Sequence, residues 1–192
     1  MYMSSTNRSN SRDNHVADYY VTPQKDIEKF LKAFYGDKYP IHTKILDPCA
    51  GGDVNHEMSY PSVFKNLYNI SIDTIDLRED SLAKLKTDYL SYKLPYEPDM
   101  IITNPPFNLA VPIIEKALSD VKDNGLVIML LRLNFYGSDG RFTFFNKYFP
   151  EYTYVHHKRI GFTDDGKTDS IEYMHAVFRK GYKPEFSKLI LI

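Results

Sequence analysis

Asp99-Met-Ile-Ile-Thr-Asn-Pro-Pro-Phe-Asn108 joins an apolar β-type run to a pair of prolines. Met100, Ile101, Ile102 and Thr103 suit a strand buried on both faces. Pro105 and Pro106 stop it, because proline brings no N–H to a ladder. Asn104 and Phe107 are left at the carboxyl end of a central strand, where open α/β sheets bind ligands. The Asn104 amide both donates and accepts hydrogen bonds, and Phe107 offers a stacking face. Taken alone, the same residues also suit a strand that ends in a Pro-rich turn.

Upstream, Lys44-Ile-Leu-Asp-Pro-Cys-Ala-Gly-Gly-Asp53 reads as a short strand tipped by Asp47. Pro48 to Gly52 then form a small-residue loop that lets backbone approach a ligand closely. A helix is expected within residues 59–67, with Pro61 near its start. Ile70-Ser-Ile-Asp-Thr-Ile-Asp76 alternates as a second strand does. Asp76 stands where Rossmann-type sheets place an acid for ribose hydroxyls, although it also suits the N-cap of a helix over residues 78–85. A short third strand or loop follows at residues 86–92. There Asp88 and Tyr89 could hold an adenine by its amine and its face, or form an Asx turn over a buried ring.

Further on, residues 111–121 carry Ile113, Ile114, Ala117, Leu118 and Val121 at helical spacing, and Asn124-Gly125 ends that helix. Leu126-Val-Ile-Met-Leu-Leu131 is apolar throughout and belongs in the sheet interior. A helical or looped segment over residues 141–149 leads to strands near residues 152–158 and 171–178, then to a charged C-terminal tail. Those last two strands are too close for a crossover helix and predict an antiparallel edge hairpin. Near the other end, Thr22-Pro23 reads as a cap and first position of a helix bearing Ile27, Phe30, Leu31 and Phe34, closed by Gly36. Tyr19, Tyr20 and Thr22 are accounted for by packing and capping on pattern alone.

Strands alternating with helices predict an α/β fold: a doubly wound, mostly parallel, seven-stranded sheet with that hairpin at one edge. The 192 residues suffice for one domain with a sizeable core, since 43% are hydrophobic and 15% aromatic. A formal net charge of −1 neither predicts nor excludes a nucleic-acid partner. Cys49 is the single cysteine, which excludes an internal disulfide framework and fits a reducing compartment, the cytoplasm. No apolar run approaches the roughly 20 residues of a membrane span, so no membrane partner is expected. Residues 1–17 are Ser/Asn/Arg-rich, without a signal-peptide core, and are expected to be a disordered tail ahead of a single domain at 18–192. His156 and His157 would point to opposite faces of a strand, a poor geometry for one metal, and no metal site is predicted.

Together these segments resemble the class I S-adenosylmethionine-dependent methyltransferases, specifically the DNA adenine-N6 type. Thr103–Phe107 (TNPPF) is the most specific element, followed by LDPCAGGD at residues 46–53, IDLRED at 75–80 and DYYVTPQ at 18–24. RIGFTDDGKTDS, residues 159–170, resembles a substrate-side loop of phage-type members, and the motif order is gamma-like. The resemblance implies a Rossmann-like fold with S-adenosylmethionine as cofactor. Tyr20, Thr22, Asp47, Pro48, Ala50, Gly51, Gly52, Asp76, Leu77, Asp88, Tyr89 and Asn104 would border or hold that cofactor. Asn104, Pro105, Pro106 and Phe107 would clamp the target base, flipped out of DNA. The pattern departs from the family at Asp53, which stands where the family loop carries a glycine, and no target-recognition domain is apparent. A partner protein could supply recognition to a monomer or homodimer, working in a host-cell cytoplasm if phage-encoded. Methylation of an RNA base or a protein glutamine, and a catalytically weak binding module, are the competing readings. Lys158-Arg159 and Arg179-Lys180 suit solvated faces, and beside the NPPF end they could grip phosphates; the turn at residues 164–167 suits a surface turn or a cover that closes over substrate.

Overall fold

A computed structural model describes residues 20–36, 41–162, 168 and 170–192. The expected tail over residues 1–17, Tyr19 and the turn at 164–167 lie outside the described residues.

The apolar spacing of Ile27, Phe30, Leu31 and Phe34 forms helix α1, Gln24–Tyr35, with these side chains fully buried. Strand β1 is Ile45–Asp47, and helix α2 is Ser59–Tyr68. Strands β2, Asp73–Asp76, and β3, Leu85–Lys86, come next. Strand β4, Met100–Thr103, runs into a 3-10 turn at Phe107–Leu109 and then helix α3, Ala110–Asp120. The last elements are strand β5 at Leu126–Arg132, helix α4 at Asp139–Lys147, and strands β6 at Tyr152–Val155, β7 at Tyr173–Arg179 and β8 at Lys188–Leu191.

The strands join one eight-stranded sheet in the order β3-β2-β1-β4-β5-β7-β6-β8. β3, β2, β1, β4 and β5 are parallel, and β7 lies antiparallel between β5 and β6. The sheet is α/β and mostly parallel with an antiparallel β6–β7 hairpin, as expected, but it has one strand more than predicted. The segment expected to be a charged tail contributes β8, which pairs parallel to β6 from Tyr152↔Lys188 to Val155↔Leu191. The charges at Lys183, Glu185 and Lys188 hide the short Leu-Ile-Leu run just after them, which is long enough to pair.

Alternation along the strands sorts the core into two layers. Leu46, Ile101, Val127 and Met129 face α3 and α4, with Ile113, Ile114 and Phe144. Ile45, Met100, Ile102 and Ile128 face α1 and α2, with Phe30, Phe34 and Phe64. No helix forms over residues 78–85, so the alternative role of Asp76 as a helix cap falls away. That segment is held instead as a turn against the glycine loop, Ser81 Oγ donating to the Gly51 carbonyl at 2.6 Å. α3 ends at Asp120, a turn before Asn124-Gly125. Among the described residues no helix is long and apolar enough to cross a membrane.

Candidate active site

The carboxyl ends of β1, β2 and β4 converge on a cavity of about 370 Å³. Parallel register puts them there: Asp47 lies opposite Thr74 of β2, and Leu46 opposite Ile101 of β4. Tyr20, Thr22, Asp47, Pro48, Ala50, Asp76, Leu77, Asp88, Tyr89, Asn104 and Pro106 all line it. Twelve of the predicted positions were assigned to cofactor, and only Gly51 and Gly52 of those stand behind the wall. Sequence reading missed Ser59, Tyr60, Arg78 and Asn108 among the polar lining residues. The start of α2 after a Gly loop was the available signal for Ser59 and Tyr60.

The loop after β1 is fixed by its neighbours. Ala50 N–H donates to the Ile75 carbonyl at 3.0 Å, and Gly51 N–H donates to Asp76 Oδ2 at 2.7 Å. The other Asp76 oxygen accepts from Arg78 N–H at 2.8 Å, and Arg78 Nη2 donates to the Gly52 carbonyl at 2.8 Å. Gly51 and Gly52 sit at φ 65° and 74°, a region that favours glycine. A Cβ on Gly52 would stand 2.7 Å from Met58 Cγ. Asp53, the departure from the family loop, builds an Asx turn: its Oδ1 accepts from Asn55 N–H at 2.8 Å and from His56 N–H at 2.9 Å. The Asn55 N–H bond, first among its contacts, holds the Asp53 carboxyl below the usual carboxylate range.

Asp47 is 1% exposed and accepts from Cys49 N–H at 3.2 Å. Burial pushes its carboxyl up to about 7, and the neighbouring Asp76 charge acts in the same direction. Asp88 both lines the cavity and forms the alternative Asx turn, accepting from Leu90 N–H at 3.0 Å. Tyr89 is buried, with its hydroxyl donating to Asp120 Oδ2 at 2.8 Å.

Thr22 does not cap α1. Pro23 takes the cap position, and no side chain bonds the first amides. The Thr22 hydroxyl instead accepts from Asn104 Nδ2 at 3.1 Å. Asn104 Oδ1 has no hydrogen-bond partner among the described residues, so the amide is oriented with its acceptor unused. Pro105 is buried and does not line the cavity. Phe107 also stands outside it, in a cluster with Tyr173, Phe162 and Tyr20. The Arg132 guanidinium covers its ring, 4.3 Å from the centroid.

Tyr60 leads away from the cavity. Its hydroxyl is 3.0 Å from His175 Nε2, and His175 Nδ1 is 3.0 Å from His156 Nε2. Phe30 stacks on His175 at 3.9 Å. Burial lowers both imidazoles, His156 to about 4 and His175 well below the ordinary value. His156 is buried and His157 exposed, on opposite sides of the strand's end.

Of the basic pairs, Arg179-Lys180 lies at the wrong end of the sheet for the site. β7 runs antiparallel, so Arg179 pairs with Leu126 at the start of β5. Arg179 is bonded to Glu151 at 2.8 Å, and Lys180 caps the carbonyls of Ser119 and Val121. Lys158 and Arg159 follow β6, which runs parallel to β4 and β5, and so stand at the site's end.

No protein-family model and no curated protein matches the sequence. Solved structures match the fold. A type I restriction-modification methyltransferase subunit from Streptococcus thermophilus superposes with a TM-score of 0.64 at 14% identity, over 92% of this chain and 48% of its own. A protein from Listeria monocytogenes, assigned as a class I S-adenosylmethionine-dependent methyltransferase, gives 0.63 at 15% identity, over 90% and 65%. The fold is that of class I methyltransferases. A protein from Pyrococcus horikoshii assigned as an RNA methyltransferase gives 0.59 at 15%, over 88% and 90%. The chain thus spans between about half and two thirds of the first two of these methyltransferase-fold proteins.

Proposed function

We propose that this chain transfers a methyl group from S-adenosylmethionine to the exocyclic N6 amine of adenine in DNA. The observation that carries the reading is Asn104: its amide nitrogen is held by Thr22, and its Oδ1 is left unused at the rim of an acid-lined cavity.

The residues fit the cofactor. A cavity of about 370 Å³ lies in the range of small-molecule sites. Asp76 ends β2 where ribose hydroxyls are accepted, and Asp88 with Tyr89 and Leu90 supplies an acceptor and apolar surface for an adenine. Gly51 and Gly52 bring the backbone round without side chains. Tyr20, Thr22, Asp47, Pro48, Ala50 and Leu77 complete the enclosure. Bound there, S-adenosylmethionine supplies a methyl group on a cationic sulfur, so the leaving group is built in.

The acceptor side must make a poor nucleophile reactive. The lone pair of an adenine amine is delocalised into the ring. Asn104 Oδ1 and the Pro105 carbonyl would accept its two N–H hydrogens, which pyramidalises the nitrogen and localises the lone pair on it for in-line attack; the surplus proton of the alkylated amine then leaves to solvent. Thr22 keeps Oδ1, rather than the amide nitrogen, facing the amine. No strong base is required, and most of the rate comes from alignment. Phe107 stacks on the base once it has left the helix, a step that costs a few kcal/mol.

An RNA base is the second reading, favoured by the comparable fit to the Pyrococcus fold. Transfer of labelled methyl from S-adenosylmethionine to DNA, RNA and protein pools tests both. Label on N6 of DNA adenine is the expected result. Label confined to RNA moves the proposal to the second reading, and no cofactor binding by calorimetry would sink both.

A further inference from the structure

Arg132 ends β5 three residues past Met129, the parallel partner of Thr103 in β4, and so stands at the same end of the sheet as Asn104. The residue is half-buried, and its Nε is buried with no hydrogen-bond partner. Among the described residues its guanidinium makes no hydrogen bond and no ion pair; its one specific contact is the face of Phe107. The other described arginines behave differently. Arg78 and Arg141 bond carbonyls, and Arg159 and Arg179 bond carboxylates. Glu172 adjoins the β7 partner of Arg132, Tyr173, yet it is taken by Arg159 at 3.2 Å. A cation that is partly desolvated, stacked and left without an acceptor is poised for an anion from outside.

The geometry points to Arg132 as the ligand of a backbone phosphate in the substrate strand, next to the nucleotide whose base meets Asn104. A guanidinium presents a planar fork of donors that matches two phosphate oxygens. The cofactor's carboxylate is not the anion, since neither Arg132 nor Phe107 lines the cavity. Lys158, exposed at the same end of the sheet, adds positive charge. Phosphate binding also moves the guanidinium off the Phe107 ring, which frees that face for the base. The substrate class is then a nucleic acid and not a protein amide. This inference rests on the methyl-transfer reading of the site.

The test uses the full chain with S-adenosylhomocysteine and a fluorescent DNA oligonucleotide, titrated from about 50 to 200 mM salt. Arg132→Ala is expected to weaken binding about tenfold at the low-salt end and to flatten the slope of log K against log salt by roughly 0.7–0.9, one phosphate's share. Arg132→Lys keeps the slope, and Arg132→Gln, which preserves length without charge, loses it as alanine does. Cofactor affinity and circular dichroism stay at their parental values in all three. Parental methylation of DNA with an unchanged slope in Arg132→Gln overturns this inference and leaves the proposed function standing. Loss of cofactor affinity in Arg132→Gln also overturns it. A parental chain that methylates no nucleic acid overturns both.

Discussion

Asp76 places both carboxylate oxygens on backbone N–H groups of its own wall, whereas Asn104 across the cavity keeps Oδ1 without a partner. The contrast extends to their neighbours. On the β1–β2 side, Arg78, Ser81, Gly51 and Gly52 are tied to one another, and Asp53 locks the turn that follows. On the β4–β5 side, Arg132 Nε and Asn104 Oδ1 have no hydrogen-bond partner among the described residues, and the Phe107 ring is covered by a cation. A side that binds the same small molecule in every turnover gains from being assembled beforehand. A side that admits a polymer must exchange water or internal contacts for substrate contacts, and its unpaired groups mark where.

Substitutions on the two sides should therefore fail differently. The largest effect is expected for Asn104→Ala. Methyl transfer should fall about 10²–10³-fold or more, the scale for losing a polar group that acts on the reacting atoms, with calorimetric cofactor affinity close to parental. Equal loss of both would erase the distinction between the sides. Gly52→Ala should do the reverse: strain at positive φ and the contact with Met58 should cost about 1–3 kcal/mol and weaken cofactor binding about tenfold or more. Thr22→Ala should lower kcat about tenfold by releasing the Asn104 amide, and Thr22→Ser should restore most of it.

Another effect is one of pH. The folded Asp47 carboxyl is raised to about 7, above its unfolded value, so its contribution is fully present below about pH 4 and is lost as pH rises through 7. Asp47→Asn should accordingly melt several degrees higher than the parent at pH 8 and equally at pH 4. The buried imidazoles act in the opposite sense. Their folded values lie below the unfolded 6.5, so their contribution is present above 6.5 and is lost as pH falls, by up to about 3 kcal/mol for His156 near pH 4. With Asp47 gone, its gain in stability as pH falls no longer offsets that loss, and the acid side of the melting profile should steepen.

Much of this was legible in the sequence where function depends on local order. The strand ending at Thr103, the acids closing β1 and β2, and the small residues at 50–52 stand where reading along the chain puts them. What escaped depends on register between distant segments. Thr22 looks like a helix cap because its partner, Asn104, is 82 positions away. Arg132 gives no sign of lying on Phe107 until β4 and β5 are paired. Arg179-Lys180 suits phosphate only at the carboxyl end of β4, but β7 is the antiparallel member of the hairpin and carries the pair to the far end. The Lys188–Leu191 strand was masked by the charges around it, since a four-residue run has little pattern to read.

The chain of bonds from Tyr60 through His175 to His156 has a mechanical consequence. Tyr60 is both part of the cavity wall and one end of a buried polar line that crosses to β7 and β6. α2 cannot shift on that side without dragging His175 along or breaking a bond inside the core. Whatever fills the cavity is therefore felt at strands that never touch it, and hydrogen exchange at Tyr154 and Val155 should slow when the cofactor binds.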